Sequence, residues 1–134
     1  MPTVEEIEGI GPAYAAKLKA AGVTTEESLL KTAASKKGRQ DLAEKSAISE
    51  TLILEWVNRA DLSRIKGVGS EYSDLLEASG VDSVPELAQR NGPNLHKKMV
   101  EINAAKNLVR VVPSDTSISD WIEQAKKLDR VVTH

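Results

Sequence analysis

Two short stretches, Gly9-Ile10-Gly11 and Gly67-Val68-Gly69, set an apolar residue between two glycines and run into the next helix, the first by way of Pro12, which suits a first helical turn. The first N–H groups of a helix have no partner within it and, with the helix dipole, favour an anion. Glycines beside them let the backbone turn sharply and let a ligand approach closely. By this chemistry the first turn would offer the amides of Gly9, Ile10, Gly11 and Ala13, backed by Lys17. The second would offer those of Gly67, Val68, Gly69 and Glu71, backed by Lys66. Basic residues follow both turns: Lys36, Lys37 and Arg39 after the first, Arg90, Lys97 and Lys98 after the second, with His96 alongside. Such a set suits an anion, held by contacts that salt weakens. Against it stand Glu8 before the first turn and Glu71, Asp74 and Glu77 after the second, which repel an anion. The competing reading is therefore a docking module for a protein partner.

Other chemistry is sparse. With no cysteine there is no disulfide, thiolate metal site or thiol nucleophile. No metal-ligand spacing, phosphate-binding loop or nucleophile elbow occurs. The two Gly-x-Gly stretches are not dinucleotide fingerprints, because Tyr14 and Tyr72 stand where the third glycine belongs. The expectation is a non-enzymatic protein with no cofactor and no small-molecule substrate. Tyr14 and Tyr72 could stack on a sugar or base, but the plainer role is packing the turn onto its neighbours. Trp56 and Trp121 sit in aliphatic stripes and read as core anchors.

The elements that must position these residues form a repeat. Ile7-Glu8-Gly9-Ile10-Gly11-Pro12-Ala13-Tyr14 aligns with Ile65-Lys66-Gly67-Val68-Gly69-Ser70-Glu71-Tyr72 at a spacing of 58 residues. The match continues through Leu18 with Leu76, Gly22 with Gly80, Val23 with Val81 and Leu29 with Leu87, and closes on Trp56 with Trp121, 65 apart. Helix caps are expected at Thr25, Ser35, Ser49 and Ser83, and stop glycines at Gly22 and Gly80. The pattern predicts a helix from Asn94 to about Leu108, an extended segment Val109-Arg110-Val111-Val112-Pro113, and a closing helix bearing Ile118, Trp121, Ile122, Ala125 and Leu128. The fold class is all-α: repeats over 1–62 and 63–129, packed as one compact pseudo-symmetric helical domain, with a frayed tail over 130–134.

Composition agrees. There is no Phe, and Tyr and Trp number two each, so the core must be aliphatic. Net charge is −2, and neither repeat has a basic excess, so nucleic-acid contact must rest on a local patch. No run of about 18 apolar residues occurs, and the start of the chain is acidic without a secretory apolar region, so no membrane contact is expected and the cytoplasm is the expected location.

The apolar-Gly-apolar-Gly pattern, with Ala15 and Ser73 at the small position four residues on, resembles the helix-hairpin-helix superfamily, of the SAM-like class. Ile7 to Leu30 also resembles the C-terminal domain of the bacterial RNA polymerase α subunit. From about Val4 to Leu128, and most clearly from Ile48 to Val81, the chain is similar to a bacterial family of uncharacterised tandem helix-hairpin-helix proteins, a domain of unknown function. The superfamily resemblance implies hairpin amides meeting the backbone of double-stranded DNA, in an accessory role in repair, recombination or nucleoid function. It also implies a monovalent cation held by hairpin carbonyls. Members that only pack or dock proteins keep the scaffold reading open.

Overall fold

Each Gly-x-Gly turn is followed by a helix that begins where the sequence pattern places it. The structure, a computed structural model, describes residues 3–7 and 9–133; Glu8 and His134 lie outside the described residues. The regular elements described are a 3-10 turn at Val4–Glu6 and the helices α1 (Pro12–Ala20), α2 (Glu26–Ala33), α3 (Lys36–Ser46), α4 (Glu50–Leu62), α5 (Ser70–Ala78), α6 (Val84–Ala88), α7 (Gly92–Lys106) and α8 (Asp115–Lys127). Apart from one isolated bridge between Thr3 and Thr25, no β structure occurs among the described residues. The chain is all-α. No described helix is long and apolar enough to cross a membrane. It divides into two compact units, Met1–Asp61 with Val131–His134, and Leu62–Arg130.

In the first unit the helix ends follow local chemistry. Pro12 fills the first position of α1, where its missing N–H costs nothing. At the other end the Gly22 amide donates to the Lys19 carbonyl and the Val23 amide to that of Leu18, which satisfies carbonyls left over by the helix. Thr25 caps α2 through Ser28, Ser35 caps α3 through the Gly38 amide, and the Ser49 hydroxyl accepts from the Leu52 amide. The core gathers Leu18, Leu29, Leu42, Ile53, Trp56 and Val57. The tail expected to fray is instead docked at Val132 and Thr133. Val132 is 2% exposed within this core. The Thr133 amide donates to the Ala34 carbonyl at 2.9 Å, and Arg39 donates to the Thr133 carbonyl at 2.7 Å. An apolar side chain with a waiting slot and two satisfied backbone groups outweigh the entropy of a short strap.

Glu26, at the start of α2, is held above the ordinary carboxyl range by burial and by the neighbouring Glu6 carboxylate. The folded state thus binds a proton more readily than the unfolded one. Its contribution is favourable below the ordinary value and is lost as pH rises through the raised one. Glu26→Gln is expected to raise the first unit's urea midpoint slightly at pH 7, with the gain vanishing by about pH 4; a midpoint difference independent of pH would contradict this.

The second unit repeats these devices. Gly80 donates to the Glu77 carbonyl and Val81 to that of Leu76. Ser83 caps α6 through Glu86. Helix α7 starts at Gly92, two residues before the expected Asn94, because the Asn91 side chain caps it and Pro93 occupies its first turn. The segment from Val109 to Pro113 forms no strand; it is a connector whose backbone is clamped by Asn103, which both donates to and accepts from Val109, and by the Tyr72 hydroxyl donating to the Val111 carbonyl. The core gathers Leu62, Ile65, Leu75, Leu76, Leu87, Leu95, Met99, Ile118, Trp121 and Ile122.

Candidate nucleic-acid interface

The two turns have the same backbone course. Gly9 and Gly67 take φ of +94° and +96°, a region that L side chains rarely adopt. A tryptophan lies against each. A Cβ on Gly67 would stand 2.9 Å from the Trp121 Nε1, and one on Gly9 would stand 3.5 Å from the Trp56 Nε1. Tyr14 meets Trp56 edge-on at 5.1 Å between ring centroids, and Tyr72 meets Trp121 at 5.4 Å. The paired tyrosines and tryptophans therefore buttress the turns from below, the packing role expected of them.

Gly11 and Gly69 differ from their partners. Both take extended backbone, φ −88° and −96°, open to any residue. A Cβ at either would meet nothing within 4 Å. Both occupy the N-cap of the following helix, and neither helix has a side-chain cap. In α1 the first intrahelical donor is Ala15, bonded to the Gly11 carbonyl, so the amides of Ala13 and Tyr14 precede the helical ladder. In α5 the corresponding donor is Ser73, which leaves Ser70, Glu71 and Tyr72 ahead of it. The tyrosine amides and that of Ser70 were not singled out in the sequence, although fixing the helix start at Pro12 and Ser70 would have identified them.

Other expected contacts are corrected. The Ile10 amide donates to the Ile7 carbonyl and the Val68 amide to that of Ile65, both at 3.1 Å, and both side chains are buried. These two amides close the turn itself and are not available to a ligand. Arg39 is 4% exposed, and its guanidinium donates to the carbonyls of Ala33, Ala34 and Thr133. Burial lowers its proton affinity, with Glu50 acting the other way. It is a structural tie and not a phosphate ligand. Arg90 likewise donates to the carbonyls of Ser79 and Gly80, at the end of α5, and pairs with Glu86.

Lys17 is exposed and lies over the Tyr14 ring, 5.9 Å from its centroid, so it joins the first turn through that ring. Lys66 is exposed, but its amide and carbonyl are both taken by the Gln124 side chain. Lys36 and Lys37 are exposed in the first turn of α3, and Lys36 lines a shallow depression with Arg39, Glu50, Thr51 and Leu54. Lys97 and Lys98 are exposed on α7, and His96 lies 3.1 Å from the Asp115 carboxylate at the start of α8. At the positions matching Ala13 and Lys17 the second turn carries exposed Glu71 and buried Leu75, so the two turns are electrostatically unequal.

The carbonyls of Ile7, Ile65 and Lys66 each accept a hydrogen bond, from the amides of Ile10 and Val68 and from the Gln124 side chain respectively.

A family model described as a domain of unknown function, DUF4332, matches residues 8–128. The chain belongs to this family. The match to DUF4332 takes in both Gly-x-Gly turns from Gly9 onward and both tryptophans. No curated protein and no solved structure matches this DUF4332 chain.

Proposed function

We propose that the two Gly-x-Gly turns are helix-hairpin-helix turns in tandem, and that the chain is a non-enzymatic, sequence-nonspecific DNA-binding protein of the cytoplasm. The single observation that carries this reading is the pair Gly11 and Gly69. Nothing in the fold needs glycine there: the backbone is extended, the space beside each is open, and a serine or aspartate would cap the helix better. A bare N-cap over free amides leaves room for a phosphate oxygen to take the place of the capping side chain. The first turn is the stronger contact, since Lys17 stands behind it, whereas Glu71 stands before the second.

The test is fluorescence anisotropy with a labelled duplex of about 20 base pairs at low and high salt. Binding at about 50 mM salt that falls steeply by about 300 mM is expected. Gly11→Asp supplies a capping carboxylate, so it should abolish binding while raising the thermal midpoint slightly; Gly69→Asp should have the smaller effect on binding. No binding by the unmodified protein at about 50 mM salt overturns the proposal and favours the protein-docking reading.

A further inference from the structure

The chain leaves its first unit after Asp61, builds all of the second, and returns only as the strap at Val131–Thr133. Unit 1 therefore completes its core with a side chain, Val132, that reaches it by way of unit 2. Unit 2 also brings its own two ends together. The Arg64 guanidinium, two residues into the unit, donates to the carbonyl of Asp129, one residue before its end, at 2.9 Å. Folded, unit 2 thus hands the strap back close to where the chain left unit 1. Unfolded, it would be a flexible tether of about 70 residues, with the entropy that closing so long a loop costs.

We infer that folded unit 2 acts as a clamp that presents the Val131–Thr133 strap to unit 1, so that the stability of unit 1 depends on unit 2 being folded. The coupling runs through the chain's connectivity and the strap's docking, and it requires no ligand. Replacing a tether of a few ordered residues by one of about 70 lowers the equilibrium for strap docking on the order of fifty-fold, from the three-halves power of the length ratio.

Each unit contains one tryptophan, Trp56 and Trp121, so 5-fluorotryptophan labelling and fluorine NMR give one reporter per unit in the full chain. Urea midpoints are compared for the wild type, Gly67→Leu, Val132→Asp and the double variant. Gly67→Leu disrupts unit 2 and is expected to lower the Trp56 midpoint as well. Val132→Asp is expected to lower the Trp56 midpoint and leave that of Trp121 in place. In the double variant the Trp56 midpoint should equal that of Val132→Asp alone, because a strap that no longer docks cannot transmit the loss. Gly67→Ala supplies a milder lesion where the leucine variant does not accumulate. A Trp56 midpoint unmoved by either Gly67 change overturns the inference, as does a drop that persists in the Val132→Asp background.

Discussion

Gly67→Ala is expected to cost the second unit about 2–4 kcal/mol and roughly 10 °C or more of its thermal midpoint, while Gly69→Ala, two residues away, costs about 1 kcal/mol or less. The difference has two physical sources. Gly67 has φ of +96°, where an added Cβ strains the backbone, and that Cβ would stand 2.9 Å from the Trp121 indole nitrogen. The indole cannot move aside cheaply, since it is buried and packed on Tyr72. Gly69 has neither problem, and alanine there loses only the modest preference for glycine over alanine at an N-cap. Gly9→Ala should fall between them, because its closest neighbour is the Arg59 Nη1 at 3.2 Å, the far end of a flexible side chain. Differential scanning calorimetry of the three variants checks the order. Equal losses at Gly67 and Gly69 would remove the argument that only the first glycine of each turn is required by the fold.

The second large effect is expected at the strap. Val132→Asp places a charge in an apolar slot and should destabilise the first unit by about 3–5 kcal/mol. Arg39→Met removes the guanidinium donor from the carbonyls of Ala33, Ala34 and Thr133, leaving Ala34 only the Thr133 amide, and should cost about 3 kcal/mol. Arg39→Lys should not restore the loss, since an ammonium cannot reproduce the planar fork that reaches three carbonyls. Urea denaturation followed by circular dichroism gives the magnitudes. Arg39→Met should also leave the salt dependence of duplex binding unchanged, which separates a structural tie from a phosphate contact; a salt slope reduced by about one would restore Arg39 to the interface.

Much of the local structure was legible in the residues. Thr25, Ser35, Ser49 and Ser83 cap helices as expected, and the periodic placing of Trp56 and Trp121 marked both cores. These signals lie within a few residues of what they specify. What escaped was non-local. Arg39 stands in the run Lys36-Lys37-Gly38-Arg39, which reads as a solvated basic face, and only the end of α2 and a strap 94 residues away draw it inside. Val132 belongs to no periodic pattern, so nothing nearby in sequence marks it as core. The amides of Ile10 and Val68 looked available because the bonds that close each turn depend on the turn's folded course. Of the groups first read as phosphate contacts, the amides of Ile10 and Val68 and the Arg39 guanidinium are taken by hydrogen bonds within the fold.

The strap also fixes an order of events during synthesis. The first unit emerges from the ribosome without Val132, and about 70 further residues must follow before that side chain arrives, an interval of about 4–14 s at typical elongation rates. The second unit needs nothing beyond Arg130 and can close first. Of the two units, the one made first is thus the one finished last, and until Val132 arrives its open slot is exposed to proteases and to wrong partners.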